Sequence, residues 1–445
     1  MAKGKVYIVG AGPGRPDLIS VRGLKILKQA EVIIYDYLVD KSLLADLSPG
    51  VELVCADTLG KKRLIKKALA GKKVVRLKNG DATIFSRLSQ ELKVLQKHKI
   101  AFEIVPGITA ASAAAAYTGI PLTDRNFSHN VVFVTGHDPA ADWNKIAALD
   151  TIVLYMAMAN LKEITLKLIA AGKAPETPAL IISSVGAIKQ KMVKTTLATI
   201  ASQAARAKVI APAIIVIGEV VGFEKDFNWL RQNKRVLFTG LSEERYFLDG
   251  IYFHLPLIKI VPLKNYQRFD VKIKNIADYG WLVFASRYGV EYFFKRLFAI
   301  GLDTRSLATI KIAATGQSTS QRLLDYGVRV DLVPRLESSD GLVVALKKEK
   351  INKQLVFMPR SNLADKGLKQ KLGQLGAQVI SCLAYNNVMP DNLPDIDLSF
   401  FNEIMFTSPS TVRNFKKRYG RPPANVELVS IGKTTQAAVR EVFGR

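Results

Sequence analysis

The chain has 445 residues, 49% of them hydrophobic and 23% charged, which is the balance of a globular protein with about two to four domains. Its longest apolar stretch, ITAASAAAAYTGIPL, is too short and too rich in small residues to cross a membrane, and two separated cysteines with four scattered histidines favour a reducing cytoplasm and no metal site. The net charge of +26 is spread over both halves of the chain; a lysine-rich solvated surface explains most of it, and a polyanionic ligand, either nucleic acid or a small molecule with many carboxylates, is the alternative that charge alone does not decide.

The first half of the chain alternates short apolar segments with amphipathic ones, which predicts an α/β fold of three layers. The predicted strands are VYIVG, EVIIYD, VELVCA and KKVVRL, followed by VVFVTG, TIVLYM, ALIISSV and AIIVIGEVV. Ligand sites in such sheets lie beyond the carboxyl ends of the strands. The candidate residues at these ends are Gly10–Gly14, Asp36, Asn79–Asp81 and Thr109–Ala110. Predicted seams near Pro121–Asn126 and Asp226–Arg235 divide this half into two lobes and separate it from the second half.

A glycine-rich turn, VGAGPG, follows the first predicted strand. Gly10 and Gly12 occupy the first and third glycine positions of a dinucleotide-binding fingerprint. The sixth position is Arg15, however, and Pro13 stiffens the turn where a helix should begin. These departures disfavour a nicotinamide cofactor and leave the ligand of the turn open.

The second half contains an internal repeat. The segment Trp281–Leu297 is echoed by Glu403–Arg418, and Ile310–Leu324 is echoed by Val426–Val439. Each unit reads as a strand, a turn with serine, a helix, a second strand and a turn of glycine and hydroxyl residues, so the repeat predicts two similar α/β lobes that face each other. Serine and threonine at the helix N-termini are good caps and leave backbone N–H groups free for an anion.

Taken in order, the motifs of the two halves resemble two families. Residues 1–229 are similar to uroporphyrinogen-III C-methyltransferases of the tetrapyrrole methylase superfamily, through VGAGPG with PDLIS, YDYLV, VVRLKNGD, VPGITAASAAAAYTGIPLTDR, VTGH and PAIIVIGEVV. Residues 232–445 are similar to uroporphyrinogen-III synthases, through FASRYGVEYFF, KIAATG, LVFMPRSNLADKGLKQKLGQLGAQVISCLAYNNV, FTSPSTVRNF and SIGKTTQAA. The resemblance implies methylase lobes of about 1–121 and 126–229, a first synthase lobe of 232–262 plus 386–445, and an inserted second lobe of 263–385.

The first resemblance implies that this half binds S-adenosylmethionine between its lobes and methylates carbon atoms of a porphyrinogen. The implied donor-binding residues are Pro13, Asn79, Gly80, Asp81, Ile84, Thr109, Ala110, Met156, Val185 and Ala213. Asp36 in YDYLV is the implied base that takes a proton from the methylated ring. The segment from Cys55 to Lys73 is about ten residues shorter than the family expects. Aligned without gaps, the family's proton-donating lysine falls on Thr58, and a small shift offers Lys61 instead.

The second resemblance implies that the other half closes linear hydroxymethylbilane into a ring and inverts its last pyrrole. For this reaction the protein must mainly hold the substrate in the correct conformation and protect the cation that forms from it. The reaction therefore requires no nucleophilic side chain. Tyr385 is the implied aid to departure of the hydroxyl group. The implied residues of the substrate cleft are Ser286, Thr319, Ser408 and Thr434. The acetate and propionate groups of bilane and macrocycle supply a partner for the excess positive charge.

Three functional interpretations follow. The first is a bifunctional enzyme that makes precorrin-2, toward sirohaem or cobalamin. The second is an active synthase whose methylase half binds the donor but turns over poorly, because the segment from Cys55 to Lys73 is short. The third, a nucleic-acid-binding protein, depends on charge alone. The first interpretation implies small-molecule tetrapyrrole partners, no nucleic acid, no membrane, a cytoplasmic location and a homodimer formed through the methylase half.

Overall fold

The computed structural model describes residues 3–44, 47–48, 50–56, 60–138, 140–242, 251–364 and 366–445. It has four β-sheets with helices packed around them, which confirms the predicted α/β class. Within the described residues, no helix is long and apolar enough to cross a membrane. The same residues contain no group of three or more histidine, cysteine or acidic side chains that could hold a metal ion.

The first sheet is parallel and has the order β3-β2-β4-β1-β5. Its strands are β1 (Val6–Gly10), β2 (Val32–Tyr35), β3 (Glu52–Cys55), β4 (Val74–Lys78) and β5 (Phe102–Val105). Its helices are α1 (Val21–Lys28), α2 (Gly60–Leu69), α3 (Leu88–Lys97) and α4 (Ala110–Thr118). The central strands β1, β2 and β4 are buried, as expected for a parallel sheet covered on both faces, and their residues are apolar apart from Arg76 and Lys78 of β4 and the glycine and tyrosines of β1 and β2.

The second sheet has the order β6-β7-β10-β8-β9 and is mixed, since β10 runs antiparallel to both of its neighbours. Its strands are β6 (Val131–Thr135), β7 (Thr151–Tyr155), β8 (Pro178–Ser183), β9 (Lys191–Thr196) and β10 (Ala213–Ile217). Its helices are α5 (Trp143–Ala147), α6 (Leu161–Ala170), α7 (Ile200–Arg206), α8 (Glu224–Phe227) and α9 (Trp229–Gln232).

The second half of the chain forms the remaining two sheets. The third sheet is parallel with the order β12-β11-β18-β19, from strands β11 (Arg235–Phe238), β12 (Ile251–His254), β18 (Glu403–Phe406) and β19 (Glu427–Ser430). The fourth has the order β13-β17-β16-β14-β15, from β13 (Lys259–Val261), β14 (Trp281–Phe284), β15 (Lys311–Ala314), β16 (Leu355–Ser361) and β17 (Gln378–Val388). The helices are α10 (Gln267–Lys274), α11 (Arg287–Ala299), α12 (Gln317–Leu324), α13 (Ser339–Lys348), α14 (Gly367–Gln374), α15 (Pro409–Tyr419) and α16 (Lys433–Phe443).

The chain enters and leaves the inserted lobe through β13 and the end of β17, which pair antiparallel with Lys259 opposite Val388 and Val261 opposite Asn386. The inserted lobe's sheet therefore includes residues 259–261 and 386–388, which the sequence analysis assigned to the other lobe. The difference arises because β13 has only three residues, and its pairing with a distant strand leaves no mark in the hydrophobic pattern.

Serine caps begin the repeated helices. The Ser286 hydroxyl accepts a hydrogen bond from the amide of Gly289 at 3.0 Å, and the Ser408 hydroxyl accepts one from the amide of Thr411 at 3.3 Å. These bonds confirm the capping role that the repeat predicts for both serines. The second helix of each repeat, α12 or α16, begins after a glycine and has no side-chain cap of this kind.

One apolar cluster joins the two halves of the chain. It runs from α4 and β10 of the first half into β11, β12, β18, α15 and α16 of the second half. The linking segment adds polar contacts, since the Arg235 guanidinium donates to the carbonyl of Leu230 at 2.9 Å. The third sheet is therefore packed directly against the second lobe of the first half.

Candidate active sites

Three loops of the first lobe contact one another through glycines. The amide of Gly12 donates to the carbonyl of Gly80 at 3.2 Å, and the amide of Gly80 donates back to the carbonyl of Gly12 at 2.8 Å. A Cβ atom added to Gly10 would lie 2.6 Å from the Gly80 carbonyl oxygen and 2.7 Å from the Cα atom of Gly107. Only glycine permits backbones to approach so closely. The VGAGPG turn is therefore rich in glycine because the loops after β1, β4 and β5 pack together.

Asp81 ties two of these loops together. Its carboxylate accepts hydrogen bonds from the amide of Gly107 at 2.8 Å and from the amide of Thr83 at 2.7 Å, and a further one from the Thr83 hydroxyl. Burial acts to raise the pKa of Asp81, but the hydrogen bonds from Thr83 and Gly107 outweigh it and hold that pKa below its ordinary value. Asp81 is therefore a carboxylate held in its charged form just beyond the carboxyl end of the central strand β4.

The second lobe meets these loops through Tyr155, the last residue of β7. Its phenol oxygen lies 2.6 Å from the Thr109 hydroxyl and accepts a hydrogen bond from the amide of Ala111 at 3.0 Å. The next residue, Met156, has a positive φ of 51° and a side chain that is 45% exposed. The contacts of Tyr155 thus fix Met156 at the opening between the two lobes.

Several of the predicted donor-binding residues lie where the first two lobes meet. Ile84, Ala110 and Val185 belong to or pack against one apolar cluster. A Cβ atom added to Gly14 would lie 3.9 Å from the Val185 carbonyl oxygen, so the turn that contains Pro13 faces the second lobe. Ala213 begins β10 and pairs with Ser183, two residues before Val185.

This lining consists mainly of backbone groups and apolar side chains. The first N–H groups of α4 have no acceptor within the helix; that of Ala111 is bonded to Tyr155, whereas that of Ala110 is available to a carboxylate. Apolar walls, backbone carbonyls and the Asp81 carboxylate suit an aromatic ring system and a positively charged centre. The residues present therefore fit a methyl donor that carries a purine ring, a sulfonium and an amino-acid tail.

Asp36 is held by a buried ion network beside this opening. It forms an ion pair with the Arg76 guanidinium, whose Nε donates to Glu91 at 3.0 Å, and the Lys78 ammonium donates to both oxygens of Glu91 at 3.2 Å. Arg76, Lys78 and Glu91 are 8%, 3% and 7% exposed, whereas the Asp36 side chain is 28% exposed. The Asp36 carboxylate also accepts a long hydrogen bond from the amide of Asn79, at 3.4 Å. The network therefore fixes one carboxylate that still reaches solvent.

Sequence reasoning missed Arg76, Lys78 and Glu91. The available signal was two basic residues within the apolar segment VVRLK, since a basic side chain in a buried strand requires partners. Burial, together with the neighbouring Arg76 charge, lowers the pKa of Lys78. Glu91 offsets part of this effect, so the network holds together two cations that would otherwise repel each other.

The predicted proton donor, Lys61, lies in the first turn of α2, and its side chain is outside the part of the chain that the structure describes. The alternative position, Thr58, is outside the described residues altogether. The short segment between β3 and β4 therefore contains one described helix, α2. A Cβ atom added to its first residue, Gly60, would lie 3.6 Å from the Cβ atom of Ala56. The role of Lys61 stays a prediction.

The second cleft lies between the third and fourth sheets. The Tyr385 phenol is 2.8 Å from the Ser286 hydroxyl, and its ring stacks on Tyr292 with the centroids 5.6 Å apart. Tyr385 is only 5% exposed, and burial raises its pKa against the opposing hydrogen bonds from Ser286 and Ser361. The structure therefore brings Ser286 and Tyr385 together, with the serine nearer to solvent.

The other predicted cleft residues lie at the ends of neighbouring strands. Thr319 is in the first turn of α12 and is buried, whereas Thr434 is in the first turn of α16 and is exposed. The guanidinium of Arg287 donates to the Ser242 hydroxyl at 3.0 Å, which links the end of β14 to the loop after β11. The carboxyl ends of the two sheets thus face each other, and Ser286 and Ser408 lie at those ends.

The fold is that of a protein with two α/β modules, each built on two sheets. Comparison with known proteins identifies the modules. Residues 5–201 match the family model of Tetrapyrrole (Corrin/Porphyrin) Methylases, and residues 243–442 match that of Uroporphyrinogen-III synthase HemD.

The relatives match different shares of this chain. The chain is 29% identical to a porphyrin biosynthesis protein HemD of Ruminiclostridium josui, over 99% of this chain and 94% of that protein. It is 33% identical to a uroporphyrinogen-III C-methyltransferase of Bacillus subtilis (strain 168), over 80% of this chain and 78% of the relative. A second such protein from the same strain is 42% identical over 51% of this chain and 94% of the relative.

The chain therefore belongs to the uroporphyrinogen-III C-methyltransferases of the tetrapyrrole methylase family, and it carries a uroporphyrinogen-III synthase domain fused to the methylase domain. The resemblance inferred from the motifs is confirmed for both halves. Both domains serve tetrapyrrole biosynthesis, so the chain is a bifunctional enzyme of that pathway.

Proposed function

We propose that the chain converts hydroxymethylbilane to uroporphyrinogen III in its second half and methylates that product twice in its first half, giving precorrin-2. The observation that carries the proposal is the mutual contact of the loops after β1, β4 and β5, with Asp36 bonded to the Asn79 amide beside them, in a chain that also matches the synthase family. The product of the synthase is the substrate of the methylase, so the two fused domains would catalyse consecutive reactions.

In the methylase half, the donor is S-adenosylmethionine, which supplies a methyl group to a nucleophilic pyrrole carbon. Pro13, Asn79–Asp81 and Thr109–Ala110 hold it from one lobe, and Met156, Val185 and Ala213 hold it from the other. The new carbon–carbon bond forms as the carbon–sulfur bond breaks, and the ring then loses a proton. Holding the two reactants in line and excluding water supply most of the rate enhancement.

Asp36 is the proposed acceptor of that proton. Its ion pair with Arg76 and its hydrogen bond from the Asn79 amide set the direction of the carboxylate, while the side chain stays 28% exposed. Arg76 acts through Asp36 and is a positioning residue. Glu91 and Lys78 keep Arg76 in place from the buried side of the sheet.

In the synthase half, the hydroxyl group of the bilane takes up a proton and leaves as water, and the cation that remains forms a carbon–carbon bond to the last pyrrole. That ring is inverted and loses a proton as the macrocycle closes, so the net change is the loss of one water molecule. Because Tyr385 is buried behind Ser286, we propose that Tyr385 orients the Ser286 hydroxyl toward the leaving group. The N-terminal ends of α11 and α15, where each serine cap bonds only the third N–H group, add positive potential toward the carboxylates of the substrate.

The test is anaerobic incubation of the purified chain with hydroxymethylbilane and S-adenosylmethionine, with products identified by mass and isomer. A doubly methylated type III product supports the whole proposal. Failure to consume hydroxymethylbilane would contradict the synthase assignment, and consumption without any methylation would contradict the methylase assignment.

One observation favours a second candidate, an active synthase with an impaired methylase that still binds its donor. The segment between Cys55 and Lys73 is short, and α2 occupies most of it. Normal donor binding in calorimetry, combined with unmethylated uroporphyrinogen III as the final product, would favour this candidate. Methylation at an ordinary rate would exclude it.

A further inference from the structure

Arg287 occupies the opening between the two lobes of the synthase half. It is the first residue of α11 and directly follows the cap Ser286. One nitrogen of its guanidinium donates to the Ser242 hydroxyl at 3.0 Å across the opening and to the Tyr288 hydroxyl at 2.6 Å. The side chain thus spans the gap between the end of β14 and the loop that follows β11.

The described partners of this guanidinium are neutral. Both acceptors are hydroxyl groups, and within the described residues Arg287 forms no ion pair with a carboxylate. Hydrogen bonds from a guanidinium to a carboxylate are about twice as strong as bonds between neutral groups, and the planar fork of arginine matches a carboxylate with two parallel bonds. Exchanging a serine hydroxyl for a substrate carboxylate would therefore be favourable.

The surroundings hold the guanidinium in one orientation. It lies over the Tyr288 ring, 4.6 Å from the centroid, and that ring is 6.1 Å from the ring of Tyr385. Such a cation–π contact keeps the fork in place at little cost in entropy. The guanidinium is therefore oriented beside the pair of Ser286 and Tyr385 before any ligand arrives.

The repeat offers an internal comparison. Ser286 and Ser408 occupy equivalent caps, so the residue equivalent to Arg287 is Pro409. Only the inserted lobe therefore places a cation at this step of the repeat. Because only one of the two similar lobes carries this cation, the site between them distinguishes one end of a linear substrate from the other.

We propose that Arg287 binds a carboxylate of the linear tetrapyrrole substrate, replaces the Ser242 hydroxyl with it, and so orients the substrate beside Ser286. This inference rests on the proposed synthase function. The ligand class is a flexible polycarboxylate whose carboxylates lie on short side chains along an extended backbone.

The experiment uses the full chain and measures initial rates of hydroxymethylbilane consumption for wild type, R287Q and R287K. We expect the KM of R287Q to rise about tenfold, which corresponds to the loss of one hydrogen bond to a charged group in a partly solvated site. R287K keeps the charge without the fork and should lie between wild type and R287Q. Methylation of supplied uroporphyrinogen III should be unchanged in every variant, which serves as the control for folding.

Two results would overturn the inference while leaving the proposed function intact. The first is an active wild type whose KM equals that of R287Q. The second is a fall in the kcat of R287Q at constant KM, which would indicate a structural role for Arg287. An inactive wild type would contradict the synthase function itself.

Two further variants separate substrate binding from pairing within the chain. S242A should leave KM equal or lower, because the substrate carboxylate no longer displaces a hydroxyl. Glu243 and Glu244 follow Ser242 in the sequence and lie outside the described residues. If the E243Q/E244Q variant raised KM as much as R287Q does, the guanidinium would be serving the chain's own carboxylates and the inference would fail.

Discussion

The methylase cleft and the synthase cleft are assembled from different groups. In the methylase half, backbones touch at Gly10, Gly12, Gly80 and Gly107, and a buried ion network holds Asp36. In the synthase half, hydroxyl groups and a buried tyrosine line the strand ends. A site made by close backbone contacts tolerates few residue types, so it leaves a sequence motif. A site made by helix caps and hydroxyls tolerates many, which explains why the synthase motifs are weak one by one.

Replacing Asp36 should have the largest effect. D36N keeps the shape of the side chain but cannot accept the ring proton, so methylation should fall about 10²- to 10⁴-fold. Hydroxymethylbilane consumption should stay at the wild-type rate because Asp36 belongs to the other half. Both rates can be measured on one protein sample. Methylation by D36N at a near wild-type rate would remove Asp36 from the mechanism.

Adding a methyl group at Gly107 should disrupt the donor site. A Cβ atom there would collide with the Gly80 carbonyl oxygen and with Gly10, so we expect G107A to cost about 3 kcal/mol and to lose measurable donor binding in calorimetry. The matched control is G222A, where no atom lies within 4 Å of the added Cβ. Equal donor affinity in G107A and G222A would show that the glycine contacts do not form the site.

Removing the Tyr385 hydroxyl should weaken the synthase alone. Y385F keeps the ring that stacks on Tyr292 but loses the bond to Ser286, so bilane consumption should fall about tenfold with little loss of stability, since one such bond is worth about 1 kcal/mol. Rates with hydroxymethylbilane and the thermal midpoint are the measurements. A large fall in the midpoint together with normal activity would instead make Tyr385 a packing residue.

The two serine caps should give the smallest and most informative difference. S286A and S408A each lose an N-cap, which costs about 1 kcal/mol of stability. S286A should slow bilane consumption more than S408A does, because of the two caps only Ser286 contacts Tyr385. Chemical denaturation and synthase rates for the matched pair test this. If both variants lost activity equally, the two lobes would contribute alike and the role given to Ser286 and Tyr385 would be wrong.

Much of the fold could be predicted from the chain. The apolar segments gave the predicted strands around β1, β2, β3 and β4, and the repeat predicted the serine caps that the hydrogen bonds confirm. Strands β5 and β9 were not predicted. Both are edge strands with partly exposed side chains, so their hydrophobic signal is weak.

The site could be predicted only in part. Residues next to glycines and at strand ends could be proposed from motifs, and their roles stay predictions, whereas Arg76, Lys78 and Glu91 form contacts between separate elements that no local pattern reveals. The same holds for Arg287, whose partner Ser242 is 45 residues away in sequence and in the other lobe. Long-range polar contacts depend on the finished fold, and a single sequence carries no record of them.

The most direct measurement is mass and isomer analysis of the products that wild type and D36N form from hydroxymethylbilane with S-adenosylmethionine under anaerobic conditions. The bifunctional assignment predicts a doubly methylated type III product from wild type and unmethylated uroporphyrinogen III from D36N. Unmethylated uroporphyrinogen III from both proteins would contradict it, and would leave a synthase joined to a methylase domain that no longer turns over.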